Sequence, residues 1–122
     1  MRVIVQRCKN AQCIIENNVY SEIDFGYVLL VGFTKTDNID NINKMIKKII
    51  NLRIFEDENG KMNLNIKQVN GSILSISQFT LYANPNDGNR PSFTDALEGS
   101  KSIVLYEKFN ELLSLELPVK TG

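Results

Sequence analysis

Residues 72–83, SILSISQFTLYA, constrain the fold of this 122-residue chain more than any other stretch. Their first half combines Ile73, Leu74 and Ile76 with small serines, which is typical of a strand buried on at least one face. Their second half places hydrogen-bonding side chains in an apolar run, where each costs free energy if it is buried without a partner. If the period of two continues, Gln78 and Thr80 lie on one face of the strand, and Ser77 and Phe79 lie on the other.

Two interpretations of these polar residues remain open from the residues alone. They can mark a strand end whose hydroxyl and amide groups bind neighbouring backbone, which requires no function. They can also line a site at the end of a buried strand, beside the ring of Phe79. The following residues, 84–94 (NPNDGNRPSFT), predict a loop that turn chemistry alone explains.

The hydrophobic patterns predict an α+β fold in a single domain over residues 1–122, with about six strands and two helices. Apart from residues 72–83, strands are expected at 2–8, 12–16, 27–33 and 53–55. We interpret the first two as part of a meander, and the nearly all-apolar third as a central strand covered on both faces. Asn59-Gly60 and Asn70-Gly71 are turn signals.

Two amphipathic helices are expected to pack against the sheet. The first spans residues 38–52, with isoleucines on one face, lysines opposite, and Asp37 or Asn38 as the N-cap. Its lysine face is typical of a solvated surface, and contact with RNA phosphates is the alternative. The second helix spans residues 100–117 and is stopped by Pro118, which lacks an amide hydrogen.

Composition excludes several kinds of chemistry. The chain has no histidine, which removes Ser-His, Cys-His and His-metal arrangements together. Cys8 and Cys13 lack metal-ligand spacing, so we expect no metal, cofactor or disulfide. The 14 basic and 14 acidic residues balance, so any nucleic-acid contact must be local. The absence of a long apolar run favours a cytoplasmic protein without a membrane partner.

Four segments of the sequence occur together in one known family. They are SQFTLYA, GNRPSFT shortly after it, the N-terminal MRVIVQR, and a central KMNLN. In this combination the chain resembles the bacterial D-aminoacyl-tRNA deacylases, without obvious gaps from Met1 to Gly122. The resemblance implies a curved, barrel-like sheet flanked by two helices. It also implies a homodimer that hydrolyses D-aminoacyl-tRNA, and glycyl-tRNA mischarged on tRNA-Ala, and that has no DNA partner.

The resemblance implies that Ser77, Gln78, Phe79 and Thr80 line the active site. Thr80 is the obvious hydroxyl, but a threonine without a base is a poor nucleophile. The ester's own vicinal 2′-hydroxyl can replace the missing group if backbone amides of residues 78–80 stabilise the oxyanion. We therefore expect catalysis by geometry, which agrees with the substrate-assisted mechanism of the family.

Three further residues receive roles from the resemblance. Arg7 is expected to brace the chirality filter, although an exposed charge at a strand end is an equally good interpretation. Met62 and Phe93 are expected near the pocket for the terminal adenosine. By residue type alone, both are more typical of core or loop packing.

Two departures from the family pattern affect the expected activity. The family's Gly-Pro dipeptide with a cis bond lies beyond the equivalent of Gly122, and this chain has no Gly-Pro. The C-terminal end is therefore expected to be incomplete, and the chain as given to be inactive or unable to discriminate D from L esters. Ser102 stands where the family usually has alanine, and its hydroxyl can alter the pocket.

Two other functions are compatible with the sequence. One is an editing domain like that of archaeal threonyl-tRNA synthetases, which the bacterial-type N-terminus and SQFT disfavour. The other is a non-catalytic remnant that binds tRNA or dimerises, which the missing Gly-Pro segment suggests.

Overall fold

A four-stranded mixed sheet organises the fold, and the computed structural model describes residues 1–86 and 88–122. In chain order the elements are β1 (Arg2–Cys8), β2 (Ala11–Ile15), β3 (Asn18–Ile23), β4 (Gly26–Gly32), α1 (Ile39–Asn51), β5 (Phe55–Glu56), β6 (Met62–Leu64), β7 (Ser72–Ser77), a 3-10 helix (Phe79–Tyr82), α2 (Gly99–Ser114) and β8 (Val119–Thr121). The main sheet has the order β1-β4-β7-β8, while β2-β3 and β5-β6 form separate hairpins. The α+β class and the mixed sheet are confirmed, whereas the described strands do not show closure into a barrel.

The hydrophobic core lies between one face of this sheet and the two helices. It is formed by buried residues of β4, β7, α1 and α2, among them Tyr27, Leu29, Val31, Ile73, Ile42, Ile46, Ile49, Phe109 and Leu113. The opposite face of β4 carries Val28 and Leu30, which are only half-buried. The prediction that this strand is covered on both faces is therefore right for one face and only partly right for the other.

Both predicted helices are confirmed. Asn38 is the N-cap of α1, because its side-chain oxygen accepts a hydrogen bond from the amide of Asn41 at 3.1 Å. α2 ends at Ser114, so the predicted end at residue 117 and the predicted role of Pro118 in stopping the helix are wrong. No helix within the described ranges combines the length and apolar character needed to cross a bilayer.

The predicted meander at the N-terminus is wrong. β1 pairs antiparallel with β4, and the chain between them folds into the hairpin β2-β3, whose second strand was not predicted. Asn17 in the hairpin turn has φ 66°, as expected for asparagine in this position. β5 begins at Phe55, at the end of the predicted strand 53–55, and Asn59-Gly60 lies in the turn to β6. β8 was also not predicted.

Gly26 sets the register between β4 and β7. Its φ is 156°, and a Cβ at this position would lie 1.8 Å from the carbonyl oxygen of Ser72, the residue with which it pairs. Only glycine allows the two backbones to approach this closely without displacement.

We expect Gly26→Ala to lower the free energy of unfolding by at least about 3 kcal/mol, because the methyl group would displace β7 from β4. Gly99→Ala is the matched control, since a Cβ at the start of α2 meets nothing within 4 Å. Its expected change is within about 0.5 kcal/mol. Urea unfolding followed by circular dichroism measures both, and a Gly26 variant as stable as the control would show that the register has another cause.

Candidate active site

The predicted strand over residues 72–83 divides at the SQFT motif. β7 ends at Ser77, Gln78 is extended with φ −147° and ψ 93°, and Phe79–Tyr82 form the 3-10 helix. The expected alternation of faces beyond Ser77 is therefore wrong. The backbone amide of Gln78 donates to the carbonyl oxygen of Val31 at 2.8 Å, and beyond this bond the chain turns across the end of β4.

Gly32, the last residue of β4, makes room for this turn. A Cβ on Gly32 would lie 2.9 Å from the carbonyl oxygen of Gln78 and 3.2 Å from the Cβ of Leu81. The first distance is shorter than Cβ contacts in real structures. The missing side chain therefore lets the 3-10 helix pack directly on the carboxyl end of β4.

The polar side chains of the motif face solvent. Ser77 and Thr80 are exposed, and the side-chain amide of Gln78 donates a hydrogen bond to the Thr80 hydroxyl oxygen. A carboxamide N–H is a donor and cannot accept the hydroxyl proton. This contact therefore orients Thr80 without activating it as a nucleophile.

The backbone amides of the motif differ in their availability. The amide of Gln78 is occupied by Val31, so its expected role in an oxyanion site is wrong. Phe79 and Thr80 lie in the first turn of the 3-10 helix, where amide hydrogens have no acceptor within the helix. These two amides are the donors that the motif can offer to a ligand.

Phe79 and Phe93 form an aromatic pair beside the motif. Their ring centroids are 5.2 Å apart at an interplanar angle of 60°, and the two side chains are 58% and 41% exposed. Two backbone hydrogen bonds between Asn84 and Ser92, of 2.7 and 2.8 Å, close the intervening loop and bring Phe93 back to the motif. Phe93 thus lies beside Phe79 and not in the core, and its expected place at the pocket for the terminal adenosine stays a prediction. Asp87, in the same loop, lies outside the described residues.

Arg2 supports the motif, a role that no pattern in the sequence indicated. Its guanidinium donates to the carbonyl oxygen of Leu81 at 2.7 Å and lies 4.5 Å from the ring centroid of Tyr82. Burial raises the pKa of Tyr82, the nearby charge of Asp37 adds to this effect, and Arg2 opposes it. Arg2 thereby ties β1 to the 3-10 helix.

Arg7 and Met62 do not lie near the motif within one chain. They line a separate open groove of about 550 Å³ together with Phe25, Ile54 and Phe55, and Arg7 donates to the carbonyl oxygen of Ile54 at 2.9 Å. The strand register places this groove at the opposite end of the sheet. Arg7 pairs with Tyr27, which pairs with Ile73, four residues before Ser77 and thus roughly 13 Å along the strand. Within one chain Arg7 and Met62 therefore lie apart from the SQFT motif, and their expected roles at the site stay predictions.

The remaining sequence candidates have ordinary surroundings. The hydroxyl of Ser102 donates to the carbonyl oxygen of Gly99 at 3.2 Å, within the first turn of α2. Cys8 and Cys13 are free thiols, and burial raises the pKa of Cys8. Across residues 1–86 and 88–122, no group of three or more His, Cys, Asp or Glu side chains is placed to hold a metal ion.

Solved structures share this architecture. One described as c-Myc DNA Unwinding Element Binding Protein superposes with a TM-score of 0.94 at 32% identity, covering 100% of this chain and 84% of that one. A probable eukaryotic D-amino acid tRNA deacylase superposes with a TM-score of 0.78 at 14% identity, over 93% of this chain and 66% of that chain. The second likeness concerns the fold alone. The fold and the SQFT turn thus define the class of deacylase-like α+β proteins.

Sequence comparison specifies the family. Residues 4–122 match the sequence model of the family described as D-Tyr-tRNA(Tyr) deacylase. A protein of Lactobacillus gasseri named D-aminoacyl-tRNA deacylase is 52% identical over 100% of this chain and 85% of its own length. The chain belongs to the D-Tyr-tRNA(Tyr) deacylase family, and the resemblance seen in the sequence is confirmed.

Proposed function

We propose that this protein hydrolyses the ester bond of D-aminoacyl-tRNA, and of glycyl-tRNA mischarged on tRNA-Ala, to release the amino acid and tRNA. Such an activity belongs to quality control of translation in the cytoplasm. Membership of the deacylase family supports the reaction class. The observation that carries the proposal is the SQFT turn, in which exposed Ser77 and Thr80 accompany two available amides at the end of a buried strand.

The chemistry relies on placing an ester that is already activated. We place the ester carbonyl oxygen at the amides of Phe79 and Thr80, which would stabilise the negative charge that develops on it. A water oxygen then bonds to the carbonyl carbon, and the bond from this carbon to the ribose 3′-oxygen breaks. The vicinal 2′-hydroxyl lies beside both oxygens and can pass the water proton to the leaving 3′-oxygen. This mechanism needs no histidine and no covalent enzyme intermediate.

The aromatic pair gives the substrate a second contact. Phe79 and Phe93 expose ring surface beside the motif, and adenine stacks on aromatic rings for about 1 to 3 kcal/mol per base. We place the terminal adenosine of the tRNA on these rings. Binding to DNA, which the name of the c-Myc DNA Unwinding Element Binding Protein states for that protein, is not favoured for this chain. Its net charge of 0 provides no general attraction for a duplex.

We expect Thr80→Ala to lower kcat for D-tyrosyl-tRNA by only about tenfold to a hundredfold, the effect of losing one oriented hydrogen bond. The reason is that the Thr80 hydroxyl contacts the Gln78 amide and no base. Single-turnover hydrolysis measures the change, and Thr94→Ala, in the neighbouring loop, is the control for loss of a threonine hydroxyl. A loss on the order of ~10⁴ would indicate a covalent Thr80 intermediate.

We also propose that the active protein is a homodimer with a composite site. The edge strand β1 exposes Ile4, 49% exposed, on the face of the sheet that the helices leave uncovered. A two-fold axis near the middle of β1 would place the Arg7 end of one strand beside the Arg2 end of the other. Since Arg2 contacts the 3-10 helix, Arg7 and Met62 of each copy would then approach the SQFT turn of the other.

The dimer is tested by sedimentation at micromolar concentration, where we expect a dimer that Ile4→Asp converts to monomer. Ile14→Asp is the matched control, because Ile14 is 60% exposed on the β2-β3 hairpin and away from β1. A wild-type monomer at this concentration would contradict the proposal.

Co-expression of Arg7→Ala with Thr80→Ala chains tests the composite site. A dimer of either variant alone has two damaged sites. A dimer with one chain of each variant has one intact site and one site that carries both substitutions. Random pairing should therefore restore about a quarter of wild-type activity. A mixture no more active than the mean of the two variants would show that Arg7 and Thr80 act within one chain.

A further inference from the structure

Four lysines that the ester site does not use line two grooves that begin near the SQFT turn, and Lys48, in the last turn of α1, lies farthest along them. They are exposed and come from α1, α2 and the segment after β4: Lys35, Lys44, Lys48 and Lys101. Lys44 and Lys48 line a groove of about 320 Å³ beside Met1. Lys35 and Lys101 line a second groove of about 350 Å³ beside Leu97.

Asp37 connects these two grooves without adding net charge. It lines the groove of Lys35 and Lys101, and its carboxylate binds the ammonium group of Met1, which lines the other groove, at 2.6 Å. The side chains of Met1 and Asp37 are only 2% and 1% exposed. Because the two charged groups neutralise each other below the surface, the lysines determine the charge that a ligand meets.

None of the four lysine ammonium groups lies within 4 Å of a carboxylate oxygen among the described residues. The ion pairs within 4 Å among the described residues involve Lys67, Lys108 and the N-terminus, and none of these four side chains. Two acidic residues lie nearby. Asp40 precedes Lys44 by one helical turn, and the carboxylate of Glu98 accepts a hydrogen bond from the hydroxyl of Ser100. Neither carboxylate forms an ion pair within 4 Å of the four lysines. In a chain of net charge 0, this is a local excess of positive charge.

The two lysine grooves begin next to the ester site. Met1 is followed directly by Arg2, which holds the carbonyl of Leu81 in the 3-10 helix. On the other side, the amide of Leu97 donates to the carbonyl of Phe33, one residue beyond the glycine on which the 3-10 helix rests. Both grooves therefore begin within a few residues of the SQFT turn.

We propose that Lys35, Lys44, Lys48 and Lys101 form a docking surface for the phosphates of the tRNA acceptor strand. This inference rests on the proposed function, because it assumes that the ester at the 3′ end of this strand lies in the SQFT turn. The turn itself offers contacts to an amino acid and one nucleoside. The remaining nucleotides carry one negative charge each, and the lysine surface is an adjacent region with complementary charge.

Salt-dependent binding of uncharged tRNA tests the surface independently of catalysis. We compare Lys44→Gln/Lys48→Gln and Lys35→Gln/Lys101→Gln with the control Lys67→Gln/Lys120→Gln, which removes two exposed lysines elsewhere. Each test variant should bind about tenfold more weakly at low salt, and its slope of log K against log salt should be shallower by about 2. The control should keep the wild-type affinity and slope.

Wild-type affinity and slope in both test variants would overturn the proposal, as would an equal loss in the control. Duplex DNA of similar length is a second ligand. If the wild type binds it as tightly as tRNA, and the test variants lose both to the same extent, the surface is not a tRNA site.

Hydrolysis separates this inference from the proposed function. In the test variants, KM for D-tyrosyl-tRNA should rise about tenfold with kcat unchanged, while hydrolysis of D-tyrosyl-adenosine, which has no phosphate, should not change. An equal loss with both substrates would overturn the docking role. Failure of the wild type to hydrolyse either ester would contradict the proposed function, and the binding experiment would still decide whether the lysines hold RNA.

Discussion

The parallel pairing of β4 with β7 determines where the other elements of the fold and the candidate site lie. It runs in register from Gly26 and Ser72 to Val31 and Ser77. Parallel strands need a long crossover, and here residues 33–71 supply it, with α1 covering the sheet. The pairing brings the carboxyl ends of both strands to the same edge of the sheet, where the SQFT turn lies and the lysine surface begins.

Two glycines fix this pairing at its ends. Gly26 admits the carbonyl of Ser72, and Gly32 admits the carbonyl of Gln78. A slip of one residue would turn Ile73 and Ser75 from the helix-covered face to the other face, because side chains alternate along a strand. Ser75 is fully buried, and its carbonyl oxygen accepts a hydrogen bond from the hydroxyl of Tyr106 at 2.8 Å. The register that buries Ile73 and Ser75 under the helices therefore also positions the candidate site.

The sequence predicted the elements that local patterns determine. α1 was predicted with its cap because the isoleucine period and Asn38 are both local signals. The break after Ser77 was not predicted, since it depends on space above Gly32, 45 positions earlier in the chain. β3 and β8 were not predicted because half of the residues in NVYSEI are polar and VKT is too short to show a period. β3 pairs with the adjacent β2, whereas β8 is stabilised by pairing with the distant β7.

The candidate site was only partly predictable for the same reason. Residues 77–80 are contiguous, so their proximity follows from the sequence, and Phe93 joins Phe79 through the loop closed by Asn84 and Ser92. Arg2 acts on Leu81, 79 positions away, and its role follows only from the sheet topology. Arg7 and Met62 share a groove at the other end of the sheet, which within one chain separates them from the motif by the length of a strand.

In the proposed mechanism the enzyme positions the ester, and the substrate's own 2′-hydroxyl moves the proton. The Thr80 hydroxyl meets an amide donor, and no histidine exists in the chain to act as a base. The decisive experiment compares hydrolysis of 3′-O-D-tyrosyl esters on tRNA ending in adenosine and in 2′-deoxyadenosine. We expect kcat to fall at least about a hundredfold with the deoxy substrate while binding changes little. Equal kcat values for the two substrates would contradict this mechanism.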